Sequence, residues 1–151
     1  MHQCVRKLHF CAGHRVMGHE NKCGHLHGHN YIVYVHARAV DQLDAVGRVV
    51  DFSVIKQLVG EWVDTALDHG FILHKDDPAL SLITSAPASD GSPQKVFTME
   101  DNPTAENIAH LIWRNSQTLL SVHGVVVDKL TVWETENCYA EYVPDGQGAD
   151  A

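Results

Sequence analysis

What this sequence lacks narrows its class before any motif is read. It has no apolar run long enough to cross a bilayer and no charged-then-apolar segment across Met1 to Val16, so the expectation is a soluble, cytoplasmic protein without a membrane partner. Basic residues are scarce, 11 Lys and Arg against 19 Asp and Glu, and they are scattered rather than gathered into a stripe, which argues against nucleic acid as a partner. Cys4, Cys11, Cys23 and Cys138 show no paired spacing, so they read as reduced thiols rather than a disulfide framework. There is no internal repeat and no low-complexity tract. The 151 residues suit one domain spanning 1–151, long enough to bury its own core.

What the sequence has in quantity is histidine, twelve residues in all. His2, His19, His36, His74, His110 and His123 stand alone, and an isolated histidine is more often a surface or satisfied core residue than a ligand. The stretch Cys23-Gly24-His25-Leu26-His27-Gly28-His29-Asn30-Tyr31 is different, because it packs a thiol and three imidazoles into seven residues and then enters a β-branched, aromatic segment. If that segment is a strand, its period of two puts His27 and His29 on one face, close enough to share an ion.

The remaining pattern builds a frame around this stretch. Leu8, Phe10, Ala12 and His14 alternate with Arg6, Lys7, His9 and Cys11, and Tyr31, Val33, Val35 and Ala37 alternate in phase with His27 and His29. Two antiparallel strands joined by the glycine-punctuated loop Gly18 to Gly24 would bring His14 beside the histidine pair. Ile55, Leu58, Val59, Trp62 and Ala66 fall at helical spacing, predicting a helix over 54–67 capped by Asp51 or Ser53 and delivering Asp68-His69-Gly70 at its end.

Residues 79–94 lack periodicity and read as a surface insertion, with a brief strand over 96–99. Thr104 is the expected cap of a second helix that carries Ile108, Leu111, Ile112, Leu119 and Leu120 and stops at Gly124. Val126, Leu130, Val132 and Glu134 are expected on one face of a strand, with Asp128 the polar exception, followed by a hairpin partner over 138–143 and a loose tail over 144–151. The layout is β-β-α-α-β-β, an α+β fold with two helices on one face of an antiparallel sheet.

His14, His27 and His29 offer three neutral nitrogens, the set zinc takes when it keeps a fourth position open. Cys23 reads either as a fourth ligand or inert thiol, or as a base or nucleophile favoured by nearby positive charge. Asp68-His69 could orient and shuttle a proton in a Cys-His-Asp relay, although such a dipeptide is by default a surface ion pair. Glu134, ending an apolar strand face, needs donors. These are either a neighbouring Lys or Arg, or the two parallel N–H groups of a 2-amino-4-oxo pyrimidine ring.

The motifs Phe10-Cys11-Ala12-Gly13-His14-Arg15, Cys23-x3-His27-Gly28-His29-Asn30-Tyr31, Val50-Asp51-Phe52, Leu67-Asp68-His69, Asn102-Pro103-Thr104-Ala105-Glu106-Asn107 and Trp133-Glu134-Thr135 occur in order from about Leu8 to Val143. In this the chain resembles the 6-pyruvoyltetrahydropterin synthase family, and its short Cys-to-His spacing resembles the bacterial 6-carboxy-5,6,7,8-tetrahydropterin synthase branch of queuosine (7-deazapurine) biosynthesis.

The resemblance implies a tunnelling fold assembled as a homohexamer from two trimers, with sites between subunits so that Cys23 faces Asp68 and His69 of a neighbour. It implies zinc (Zn2+) on His14, His27 and His29, and 7,8-dihydroneopterin triphosphate as substrate. Cys23, His69, Asp68 and Glu134 would be catalytic, Glu134 would also anchor the pterin, and Thr104, Ala105 and Glu106 would line the ring pocket. The product would be 6-carboxytetrahydropterin, with acetaldehyde and triphosphate released. The alternatives are 6-pyruvoyltetrahydropterin formation by triphosphate elimination alone, or zinc and pterin binding without turnover. The segment after His69 and the insertion at 79–94 depart from the family pattern. Arg15, Lys22 and Lys75 are the candidate cations for the triphosphate.

Overall fold

Alternation of apolar and polar side chains along two long strands sets the architecture. The structure, a computed structural model, describes residues 1–145. Strand β1 (Gln3–His14) pairs antiparallel with β2 (His27–Ala39) along its whole length, and the expected inward row of Leu8, Phe10, Ala12 and His14 is buried against Tyr31, Val33, Val35 and Ala37. Strand β5 (Val125–Trp133) pairs antiparallel with β2, and β6 (Tyr139–Tyr142) with β5.

The first helical region continues without a break through α1 (Phe52–Ile55), a π-helical turn (Lys56–Gly60) and α2 (Glu61–Ala66). It starts two residues before the expected 54–67 because Asp51, not Ser53, is the cap, accepting from the Ser53 backbone N–H. The second long helix, α4 (Ala105–Ser121), is capped by Thr104 and ends near Gly124, whose φ of 66° turns the chain toward β5. Ile55, Val59 and Val63 join Ile108, Ile112 and Leu120 over the apolar sheet face in one core. Each such side chain contributes about 1.5–3 kcal/mol on burial.

Three expectations are corrected. The sheet is mixed, in the order β4-β3-β1-β2-β5-β6, because β3 (Gly70–His74) runs parallel to β1 and β4 (Val96–Met99) parallel to β3. Periodicity marks a strand but not its direction, and these strands are too short to show much pattern.

Residues 79–94 are not wholly a surface insertion, since α3 (Ala79–Ser85) buries Ala79 and Ile83 against Leu73. In β5 the buried face carries Val125 and Val127 and then Leu130 and Val132, so Val126 does not face the core. The register shifts opposite His36 and Ala37, where Asp128 is the extra residue of a β-bulge and pairs with Arg38 at 2.8 Å. The tail expected over 144–151 lies mostly outside the described residues.

Candidate metal and pterin site

The antiparallel register of β1 and β2 makes His14 and His27 direct partners, and the two-residue period adds His29. The Nε2 atoms of His14 and His27 are 3.1 Å apart, and one nitrogen from each of the three rings lies within 4.8 Å of the others. Tetrahedral zinc with imidazole ligands separates their nitrogens by about 3.3 Å, so the spacing suits one shared ion.

Two rings are oriented by backbone carbonyls. The Nδ1–H of His14 donates to Pro103 (2.8 Å), and that of His27 donates to His25 (2.6 Å), which turns both Nε2 atoms inward as acceptors. His14 is 1 % exposed, and burial pushes its pKa below the ordinary imidazole value against the opposing pull of the Pro103 carbonyl and Glu134. Burial lowers that of His29 as well, so both rings are held in the neutral form a metal requires.

One buried atom bears on whether the residues fit an ion. The Nε2 of His29 has no hydrogen-bond partner, although Glu134 Oε1 lies 3.5 Å away, a contact too poor in geometry to satisfy it. A ligand at the centre of the three rings would satisfy it, so the donor set fits zinc. The Tyr31 hydroxyl beneath His14 and His29 is also buried without a partner, and burial, then Glu134 and Cys23, push its pKa up.

Cys23 reaches this cluster from a 3-10 turn (Lys22–Gly24). Its carbonyl accepts from Val16 N–H at 2.8 Å, fastening the loop to the chain just after β1. A second tie is Asn102, whose side chain bonds both the N–H and the carbonyl of Met17 (3.0 and 2.9 Å). The result is an open pocket of about 250 Å³ lined by His14, Cys23, Thr104, Ala105, Glu106 and Glu134, among others. The residues expected to line the ring pocket therefore share it with His14 and the Cys23 thiol. Glu134 pairs with no Lys or Arg among the described residues, so its carboxylate is available to a ligand in that pocket. Cys138 and Tyr139 also line it and were not anticipated, because the β6 hairpin turns them in only once its register is set.

Asp68 and His69 are brought together, but not with Cys23 of the same chain. Asp68 Oδ2 accepts from His69 Nδ1–H at 2.7 Å, and Oδ1 accepts from the Cys11 N–H at 2.9 Å. Burial raises the Asp68 pKa, yet the Cys11 N–H and then His69 outweigh it and hold the carboxyl below its usual range. His69, 78 % exposed in its side chain, borders a shallow groove with Cys11, Gly28 and Asn30.

Two of the cations suggested for a triphosphate are engaged elsewhere. Arg15 forms a two-point ion pair with buried Asp77, and Lys75 pairs with Glu100. Both carboxylates lie far along the chain, so spacing could not reveal them.

Residues 3–145 match the model of the family described as 6-pyruvoyl tetrahydropterin synthase. The chain is 40% identical over 142 residues to the 6-carboxy-5,6,7,8-tetrahydropterin synthase of Rickettsia felis, covering 93% of this chain and 99% of that one. It is 32% identical over 126 residues to the protein of the same name from Aquifex aeolicus, covering 81% of this chain and 76% of that one. Among solved structures, an uncharacterized protein from Wolinella succinogenes superposes with a TM-score of 0.80 at 24% identity, covering 95% of this chain and 98% of that one. The 6-pyruvoyl tetrahydropterin synthase of Caenorhabditis elegans superposes at 0.65 with 23% identity, covering 95% of each chain. At these identities the two structures establish the α+β tunnelling fold.

Proposed function

Because the chain belongs to the 6-pyruvoyl tetrahydropterin synthase family, we propose that it is a zinc-dependent lyase of queuosine biosynthesis. It converts 7,8-dihydroneopterin triphosphate to 6-carboxy-5,6,7,8-tetrahydropterin, releasing acetaldehyde and triphosphate. The observation that carries this reading is that His14, Cys23 and Glu134 open on one pocket, with His27 and His29 completing a three-imidazole cluster at its wall. The 40% identity with a relative named for that product favours the carboxy-pterin outcome.

Bound on His14, His27 and His29, zinc would supply a Lewis acid that polarises an oxygen of the substrate side chain. Glu134 accepts the two parallel N–H donors of the pterin 2-amino-4-oxo edge, which sets the ring in the pocket beside Thr104, Ala105 and Glu106. Cys23, on the same pocket, takes a proton from the substrate side chain as its thiolate. His69, with its Nδ1–H held by Asp68, presents Nε2 to take that proton on from the Cys23 thiol and, as an imidazolium stabilised by Asp68, to return it to the substrate. Within one chain His69 borders the groove of Cys11 rather than the Cys23 pocket. The relay is therefore completed by a second copy, in keeping with a homohexamer of two stacked trimers in the cytoplasm.

The test is product identification after incubating zinc-loaded protein with 7,8-dihydroneopterin triphosphate. Acetaldehyde together with 6-carboxytetrahydropterin supports the reading. A 6-pyruvoyl product without acetaldehyde would move the chain to the simpler elimination. Zinc and pterin binding without product would make it a binding protein.

A further inference from the structure

Away from the three-histidine cluster, β1 and the turn before β3 bring a second set of metal-ligating atoms together. Cys11 Sγ, His69 Nδ1 and an Asp68 carboxylate oxygen all lie within 4.8 Å of one another. Sγ is 3.7 Å from His69 Nδ1, and Asp68 Oδ2 is 2.7 Å from the same nitrogen. We propose that Cys11, Asp68 and His69 form a second site for a divalent ion of zinc type, separate from the His14, His27 and His29 cluster.

The spacing is near what such an ion needs. Tetrahedral zinc holds a thiolate sulfur and an imidazole nitrogen about 3.5 Å apart, and nitrogen and carboxylate oxygen about 3.4 Å apart. The 2.7 Å from Asp68 Oδ2 to His69 Nδ1 has to open, while the 3.7 Å from Cys11 Sγ to the same nitrogen is already close to the distance required.

The ligands are otherwise held in place. Asp68 Oδ1 is tied to the Cys11 N–H, which leaves Oδ2 for the ion. The His69 N–H donates to the Cys11 carbonyl at 2.7 Å, and the adjoining Ala12 and Gly70 are parallel-strand partners. Without an ion the three groups converge unequally, since the single Nδ1–H that Asp68 accepts leaves Cys11 Sγ with no good partner. An ion serves all three. Its binding releases the thiol proton and moves the imidazole proton from Nδ1 to the outward Nε2. The thiolate favours zinc or cobalt over magnesium or calcium, and with three protein ligands the fourth position opens on the groove beside Gly28 and Asn30.

A consequence that rests on the proposed lyase reading is inhibition. An ion here holds the nitrogen that Asp68 otherwise orients and takes His69 out of the relay. Zinc beyond the first equivalent then slows turnover, and Cys11→Ala blunts that effect.

The site itself is tested without any turnover, by titrating metal-free protein with Co2+ and following both stoichiometry and the thiolate-to-cobalt charge-transfer band. The expected result is that His27→Ala protein still binds an equivalent that carries the band. Adding Cys11→Ala or His69→Ala to that variant removes both the equivalent and the band, and adding Cys23→Ala leaves them. The proposal is overturned if no equivalent beyond the histidine cluster binds, or if the band survives Cys11→Ala and disappears with Cys23→Ala.

Discussion

His14 on β1 and His27 on β2 are register partners whose Nε2 atoms stand 3.1 Å apart, each ring turned by a backbone carbonyl at its other nitrogen. Two neutral acceptors at that distance repel unless a cation lies between them. The pairing of the two strands is thus also the assembly of the site.

Zinc is therefore expected to stabilise the fold by mass action. At free zinc a hundredfold above its dissociation constant the gain is about 2.7 kcal/mol, and His27→Ala loses most of it. Thermal melts of both proteins with and without zinc measure the difference.

Gly28 separates His27 from His29 and faces Gly13 across the ladder. A methyl group there would meet the Ala12 carbonyl oxygen at 3.0 Å, backbone that yields only if the strands move apart. Gly28→Ala is expected to weaken zinc binding while every ligand remains, which a competition titration against a chelating dye detects.

Cys23 and Glu134 separate chemistry from binding. Cys23→Ala should keep zinc and pterin affinity and lose turnover by at least about a hundredfold, in the range of a removed general base. Glu134→Gln, which exchanges one acceptor oxygen for a donor, should mainly weaken binding of the pterin ring. Steady-state kinetics together with zinc analysis of each variant read both effects.

Arg15, just after the strand that bears His14, secures α3 through Asp77, which is 3 % exposed. The Arg15 hydrogen bond, opposed by burial, holds the Asp77 carboxyl below the usual carboxylate range. Its stabilisation is thus complete above the unfolded-state value of about 3.9 and is lost as pH falls through the lower folded value. Asp77→Asn is expected to cost about 2–3 kcal/mol at neutral pH. Denaturant melts across acidic pH should show the gap from the unaltered protein closing.

The sequence showed the parts whose signal is local. Rows such as Leu8 to His14 and Tyr31 to Ala37 are visible because one sheet face is buried, and that alternation alone aligned His14 with His27 and His29. What escaped depends on partners distant in the chain. The Asp128 bulge exists only relative to the register with His36 and Ala37. The parallel pairing of β3 with β1 is what sets Cys11 against His69 rather than leaving it an isolated thiol. Pro103, whose carbonyl orients His14, carries no mark of that role in its side chain.

The proposed zinc ion is held by three imidazoles, with Cys23 beside it but not bound to it. X-ray absorption at the zinc edge, on protein carrying one equivalent of zinc, distinguishes this arrangement from one with a sulfur ligand. The expected spectrum has only nitrogen and oxygen scatterers around the metal, unchanged in Cys23→Ala and lost in His27→Ala. A sulfur scatterer at about 2.3 Å that disappears with Cys23→Ala would contradict it, because that sulfur would then be a fixed ligand rather than a base.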